Sequence, residues 1–366
     1  MADASDNSAI ALPAIIPPMC PIHPIPHPED RRPPPSRHVA RSIGATGEYR
    51  APDGALEQRR APGAAGRAEG EPAMTTAIKF SHLDKVLFPE AGITKGDLIE
   101  HYQSVSERML SYVKDRPMAV ARYPDGIGAA SFFQQAAPAH TPSWVKRVTV
   151  PKEGGEITHL LCQDERTLAY LANQAAVVLH TWLSRVDRPD RPDQLLFDLD
   201  PPDGFDQARH AALALRDLLT ELGLPSLVKT TGGRGLHVSV PVVRRYDADE
   251  LREFARSVCS ILQSREPDRY TSEVRKNKRA GRLYLDISRN AYAQLAVAPY
   301  SVRATADARV ATPLDWTELD DETLGPSRFT LRTTARRLAE ADPWREAPEP
   351  VSSLSTARQR VSELTA

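Results

Sequence analysis

Two short runs of this sequence hold acids at a spacing that can do chemistry. In Leu195-Leu196-Phe197-Asp198-Leu199-Asp200 the acids alternate with apolar residues. On a β-strand that period of two puts Phe197 and Leu199 on one face and Asp198 and Asp200 together on the other. In Leu283-Tyr284-Leu285-Asp286-Ile287 the same split turns Asp286 away from Leu283, Leu285 and Ile287. A further run, Leu236-His237-Val238-Ser239-Val240, offers His237 and Ser239 on its polar side. Carboxylates sharing a surface repel unless cations sit between them, and all-oxygen surroundings suit hard ions such as Mg2+ or Mn2+. Two such ions roughly 3.5–4 Å apart can activate an attacking hydroxyl and neutralise a leaving pyrophosphate. A lone D-x-D also reads as a strand end running into the Pro201-Pro202 turn with solvated acids. The acid on a separate strand, and the loop ahead of His237, favour the chemical reading.

That loop is Lys229-Thr230-Thr231-Gly232-Gly233-Arg234-Gly235, a glycine-rich turn between two strands. Glycines let a backbone approach phosphate oxygens closely. Thr231, Arg234 and His237 add a hydroxyl, a guanidinium and an imidazole as donors, a set suited to a triphosphate. The run is neither a Walker A sequence nor a dinucleotide fingerprint, since G-K-[ST] is missing and no helix follows. An ordinary hairpin would explain the glycines but not the anion-binding side chains.

To carry these groups the chain must supply strands and the helices that back them. Strands are predicted at 119–122, 195–200, 227–230, 236–240 and 282–288. Thr94 precedes Asp97 at a capping-box spacing, and Leu98, Ile99, Tyr102, Val105, Met109, Leu110 and Val113 follow at helical intervals, predicting a helix. Residues 167–183 and 208–222 also read as helices, the second stopped by Gly223 and Pro225. This mix predicts an α+β domain whose sheet is covered on one face and open on the other.

Composition bounds the reading. A chain of 366 residues with 41% hydrophobic content buries a core without staples. Its formal net charge of −1 gives no global positive field, so nucleic-acid contact must come from local patches such as Arg275-Lys276-Asn277-Lys278-Arg279. Cys20, Cys162 and Cys259 lie far apart, which disfavours a disulfide framework and a thiolate zinc site and fits a cytoplasmic address. No apolar run approaches the ~20 residues of a membrane span. Residues 1–73 are crowded with Pro, Ala, Gly and Arg and show no lasting apolar period, so they read as a disordered tail, or as a stretch upstream of a true start at Met74. A catalytic domain is expected at 74–346 and a tail at 347–366.

In their order, these motifs resemble the polymerase domain of bacterial ATP-dependent DNA ligase D, within the archaeo-eukaryotic primase superfamily. The resemblance spans about 78–346, from Leu83-Asp84-Lys85-Val86-Leu87-Phe88-Pro89 to Asp342-Pro343-Trp344. It includes Ser131-Phe132-Phe133-Gln134, Leu179-His180-Thr181-Trp182, the D-x-D strand, the glycine loop, Leu285-Asp286 and Ala298-Pro299-Tyr300-Ser301-Val302-Arg303. It implies a primase-like catalytic core around an RRM-like antiparallel sheet flanked by helices, with Asp198, Asp200 and Asp286 as ligands of two divalent metal ions, Mn2+ or Mg2+. By the same likeness Thr231, Arg234 and His237 contact the triphosphate of an NTP or dNTP, His180 lies near its sugar, and Arg303 helps hold phosphates. DNA contacts are implied at Lys85, Lys95, Arg122, Phe132, Phe133 and Arg279, with Lys85 and Lys95 at a downstream 5′-phosphate. Thr231 and Arg234 stand where the family usually has Ser and Lys; both keep donors, though a guanidinium is not equivalent to an ammonium. Without the likeness, His180 after Ala175-Ala176-Val177-Val178-Leu179 also reads as a core histidine.

The activity this implies is template-directed nucleotide addition, filling gaps and extending DNA ends in bacterial non-homologous end joining. Neither an adenylating-lysine ligase segment nor a nuclease segment is recognised, so a separate DNA ligase and a Ku-like end-binding protein are the expected partners. Two other classes stay open at this point: a D-x-D glycosyltransferase using a metal-bound nucleotide sugar, and a non-catalytic module that bridges DNA ends.

Overall fold

The computed structural model describes residues 78–365, so the segment at 1–73 lies outside the described residues. The described chain opens with a small ribbon, β1 (Val86–Phe88) and β2 (Ile93–Thr94). Thr94 caps α1 (Lys95–Ser104): its hydroxyl accepts from the Asp97 amide, and the Asp97 carboxylate accepts from the Thr94 amide. The expected continuous helix breaks at Val105 and resumes as α2 (Ser106–Val113). The Val105 amide bonds to the His101 and Gln103 carbonyls, tightening the turn while Leu98, Tyr102, Met109 and Val113 stay in the core.

Next come β3 (Met118–Arg122), β4 (Phe132–Gln134), the hairpin β5 (Arg147–Lys152) and β6 (Gly155–Leu160), α3 (Glu165–Asn173) and β7 (Ala176–Trp182). The structure corrects the helix predicted over 167–183. The helix stops at Asn173, Ala175 takes a φ of 55°, and the chain turns into β7. Val177, Val178, Thr181 and Trp182 favour a strand, and β7 is buried on both faces. Such a run is continuously apolar and cannot be told from a buried helix by periodicity. His180 therefore sits mid-strand.

The half that carries the acids is β8 (Gln194–Asp200), α4 (Phe205–Glu221), β9 (Leu227–Thr230), β10 (Leu236–Pro241), α5 (Ala248–Arg265), β11 (Tyr270–Thr271) and β12 (Leu283–Asp286). The strands β13 (Leu295–Val297) and β14 (Pro313–Leu314) and the helices α6 (Thr334–Ala339) and α7 (Ser355–Thr365) complete the chain. One sheet runs β13-β7-β3-β6-β5, with β4 on β3; the other runs β11-β12-β8-β10-β9-β14. Apart from the parallel β11–β12 pair, the ladders are antiparallel, giving the α+β, RRM-like arrangement of sheets flanked by helices. Leu195, Phe197, Leu199, Val238 and Val240 pack with Leu215, Leu218 and Phe254 of the covering helices.

Two expectations change in detail. The opposite face of this sheet is not open along its length: Leu196 packs with Leu183 and Ala296, joining the two sheets and turning the polar row into a cleft. Residues 347–365 are no loose tail. The Val351 amide donates to the Pro241 carbonyl at 2.9 Å, and Leu354, Ala357 and Val361 form an apolar stripe buried in the core.

Candidate active site

Strand register builds the site. Asp286 stands directly opposite Asp198, Asp198 opposite His237, and His237 opposite Lys229. Directly opposed residues share a face, so acid, acid, imidazole and ammonium form one row across four strands. Asp200 lies two residues along the same face, opposite Tyr284. Burial alone would raise the Asp198 pKa; His237, 3.5 Å away, and the Arg289 guanidinium, 3.4 Å away, outweigh it and hold the carboxyl below its usual range. Asp200 moves the other way: burial, with Asp198 adding, raises its pKa against the opposing Arg234, 3.4 Å off. Asp286 accepts a hydrogen bond from the Ser288 amide at 2.7 Å.

Among the described residues, no group of three or more His, Cys, Asp or Glu stands ready-gathered around a metal position. The donor chemistry nevertheless fits hard cations. Asp198 and Asp286 are cross-strand neighbours, Asp200 shares their face, and all three offer carboxylate oxygens. In this arrangement Asp198 and Asp200 are met instead by Arg289 and Arg234.

The glycine loop is pressed against this row. A Cβ on Gly235 would lie 2.0 Å from the Leu199 carbonyl oxygen, so only glycine lets the loop touch the D-x-D backbone. Gly232, at φ 63°, lies where a Cβ would meet Arg303 Cγ at 2.6 Å. The Thr231 hydroxyl donates to the Gly235 carbonyl and accepts from the Gly233 amide, so it shapes the turn. Arg234 is largely exposed beside Asp200.

Facing the row from β7 is His180. Burial, then the charges of Arg303, Arg289, Lys229 and His237, push its pKa down to about 3, so the ring is neutral. Its Nδ1 has no hydrogen-bond partner among the described residues. Phe133 meets the His180 ring edge-on at 5.8 Å, and Phe132 and Phe133 are both exposed on β4 rather than packed in a core. Arg303 is half-buried within electrostatic reach of Asp198, and desolvation lowers its pKa.

The remaining expected DNA contacts are less free. Lys85 pairs with Asp125 at 2.7 Å. Lys95 is buried, bonding Ser81 Oγ and the Asn173 carbonyl, with its pKa lowered by burial and then by Lys85. The first-turn amides of α1 are also taken, by the Lys85 and Leu83 carbonyls and the Thr94 hydroxyl. Arg122 is braced by Gln174 and Gln134. Arg279 bonds the Glu273 and Val274 carbonyls and stacks over Tyr284 at 4.1 Å.

Sequence reasoning passed over Lys229 and Arg289. Lys229 looked like the start of the loop, but its hairpin register with His237 puts it on the polar face. Arg289 follows Asp286 in a short 3-10 turn, too irregular for any period to aim it.

A row of acids running into a seat of basic groups, inside a two-sheet α+β core, is an arrangement suited to phosphoryl transfer. A family model described as LigD, primase-polymerase domain, matches residues 94–344. The multifunctional non-homologous end joining DNA repair protein LigD of Mycobacterium tuberculosis H37Rv is 34% identical over 257 residues, covering 68% of this chain and 34% of that protein. The bifunctional non-homologous end joining protein LigD of Bacillus subtilis is 33% identical over 264 residues, 71% of this chain and 42% of that one. Among solved structures, the polymerase domain from Mycobacterium tuberculosis ligase D in complex with DNA superposes with a TM-score of 0.68 at 32% identity, covering 72% of this chain and 94% of that chain. The chain belongs to the LigD primase-polymerase domain family, a family of metal-dependent nucleotidyl transferases in non-homologous end joining. It spans about a third of the length of the Mycobacterium tuberculosis relative it matches. No helix among the described residues is long and apolar enough to cross a membrane.

Proposed function

We propose that this chain adds nucleotides to a 3′-hydroxyl opposite a template at gapped or overhanging DNA ends, the filling step of end joining, using NTPs as well as dNTPs. The observation that carries the reading is the row Asp286, Asp198, His237 and Lys229, acidic at one end and basic at the other along a single cleft. A nucleoside triphosphate has matching polarity: its β- and γ-phosphates suit the basic end, which leaves the α-phosphate toward the acids.

Asp198, Asp200 and Asp286 would hold the two divalent ions, Mn2+ or Mg2+, which when bound neutralise charge at the reacting phosphate and lower the pKa of the attacking hydroxyl. The chain's own groups do the positioning. Arg234 and Arg303 supply guanidiniums for phosphate oxygens. His180, neutral and half-buried on β7, offers a ring face and edge to the sugar, and the neighbouring Phe133 extends that surface for base stacking. Lys85, close enough for its charge to act on Lys95, sits where a 5′-phosphate can displace Asp125. A separate DNA ligase and a Ku-like end-binding protein are the partners that complete joining.

The test is incorporation of labelled nucleotide into a gapped primer–template with Mn2+. Extension by wild type and its loss in Asp198→Ala are expected. Wild-type protein that binds the gapped DNA yet adds nothing overturns the reading.

A further inference from the structure

Lys229 closes the basic end of that row, and the reading above gives it no contact of its own. It lies on β9 with its side chain on the cleft side of the sheet, directly opposite His237. The residue is only 4% exposed, and its Nζ has no hydrogen-bond partner among the described residues. The strand that carries it cannot shift to relieve this. Thr230 is tied on one side by its amide to the Thr312 carbonyl and by its hydroxyl to the Val310 carbonyl, while β10 pairs along the other side.

Charge around Lys229 deepens the problem. Arg303 acts on it unfavourably, and Asp198 is the acid that acts in its favour; burial is the largest influence and, with Arg303, pulls its pKa to about 7. Asp198 is already engaged by His237 and Arg289. Positive charge therefore outweighs negative charge at this end of the row. An unpaired buried ammonium is costly, and a fold keeps one without a structural partner only where something else compensates it. A sequence with no use for the charge would place an apolar residue here, as it does at Val228 beside it.

We propose that Lys229 is a positioning residue of the nucleotide site: its buried side-chain amine, unpartnered beside His237 on the cleft side of the sheet, carries a positive charge that the triphosphate of an incoming nucleotide stabilises. It acts through the His237 and Arg303 layer rather than by touching substrate. This rests on the nucleotide-binding reading of the cleft. The amine is held in place by its strand before binding, so it favours a triphosphate over a monophosphate without any rearrangement of the backbone.

The test uses the full chain and compares binding of dATP and dAMP by calorimetry, with no DNA, alongside thermal melting. In Lys229→Met, which keeps the chain length and removes the charge, dATP affinity should fall roughly tenfold, the size of one partly buried charge contact. Binding of dAMP should hold, and the melting temperature should rise because the uncompensated charge is gone. Lys229→Gln should show the same selective loss of dATP without the gain in melting temperature. In extension assays both variants should raise KM for the nucleotide more than they change kcat. An unchanged ratio of dATP to dAMP affinity in both variants overturns the proposal. So does a drop in melting temperature with equal loss of both ligands, which marks Lys229 as packing. Wild type that does not prefer dATP to dAMP removes the nucleotide reading itself, a result distinct from either failure of the variants.

Discussion

Gly235→Ala is the substitution whose effect can be worked most directly from the structure. Gly235 follows Arg234 at the end of the glycine loop, and an added Cβ would stand 2.0 Å from the Leu199 carbonyl oxygen, 3.0 Å from its carbon and 3.2 Å from Asp200 Cα. Carbon-to-oxygen contacts settle near 3.3–3.6 Å, so the loop and β8 must part by about 1.3 Å. All the crowding atoms are backbone, so no side chain can swing away to absorb it. Either the loop lifts, taking Arg234 from Asp200, or β8 yields and Asp200 moves. A misplacement of about 1 Å costs on the order of 100-fold in rate, and overpacking of this kind costs about 1–3 kcal/mol in stability. Gly233→Ala is the control: there a Cβ meets only the Thr231 hydroxyl, at 3.2 Å. The assay is single-turnover extension of a gapped primer–template, with thermal melting and DNA binding measured in parallel. Gly235→Ala should extend far more slowly than Gly233→Ala, melt lower and bind DNA normally. If Gly235→Ala extends and melts as wild type does, the close approach of loop to strand is not what holds the site, and the reasoning fails.

Asp198→Ala, Asp200→Ala and Asp286→Ala should each abolish nucleotide addition, as should removal of divalent ions by EDTA, while DNA binding measured by anisotropy persists; substantial extension by two of the three removes the metal assignment. Arg234→Ala should weaken nucleotide use mainly through the triphosphate, by roughly 1.5–3 kcal/mol, with loss of a charged hydrogen bond read as a selective rise in KM for dATP. Lys85→Ala combined with Lys95→Met should erase any preference for a downstream 5′-phosphate over a 5′-hydroxyl in binding titrations, a preference that in wild type should shrink as salt rises. Acid should destabilise the fold through His101, which is buried with Nε2 donating to the Tyr300 carbonyl at 3.0 Å and has its pKa lowered by burial from 6.5 to about 4. Between those values the unfolded chain binds the extra proton, so stability is full above pH 6.5 and falls toward pH 4 by on the order of 3 kcal/mol, a slope that urea melts should find reduced in His101→Phe.

What the sequence made legible was local. Alternation in 195–200 and 283–287 aimed the three acids correctly because a strand's facing depends only on its own period. The Thr94–Asp97 box likewise needs nothing beyond its own turn. Facts that depend on distant partners stayed hidden. The Lys95 ammonium ends on the carbonyl of Asn173, and the Arg122 guanidinium on Gln174 and Gln134, partners that no spacing announces. Thr231 offered a hydroxyl to the eye, but whether it pointed at a ligand or back at Gly235 depended on how the loop closes. β7 was misread because burial on both faces erases the alternation that marks a strand. Lys229 required the register of β9 against β10, which follows only once the hairpin turn is known.

The charges in the cleft differ in how freely they can be exchanged, and that difference gives the site a direction. Arg234 is 61% exposed on a glycine loop and meets Asp200 at 3.4 Å, so a phosphate can draw it away at little cost, as surface pairs of this kind are weak. His237, Lys229 and His180 are anchored on interior strands and cannot follow. The basic end is therefore a fixed seat and the acidic end an adjustable one. On the nucleotide reading, a polyanion settling into the seat would compete for Arg234 and so uncover Asp200, the carboxylate whose pKa burial and Asp198 already raise. Net charge of −1 is then no obstacle to a polyanionic substrate, because recognition depends on opposite charges being separated within one cleft rather than on their sum.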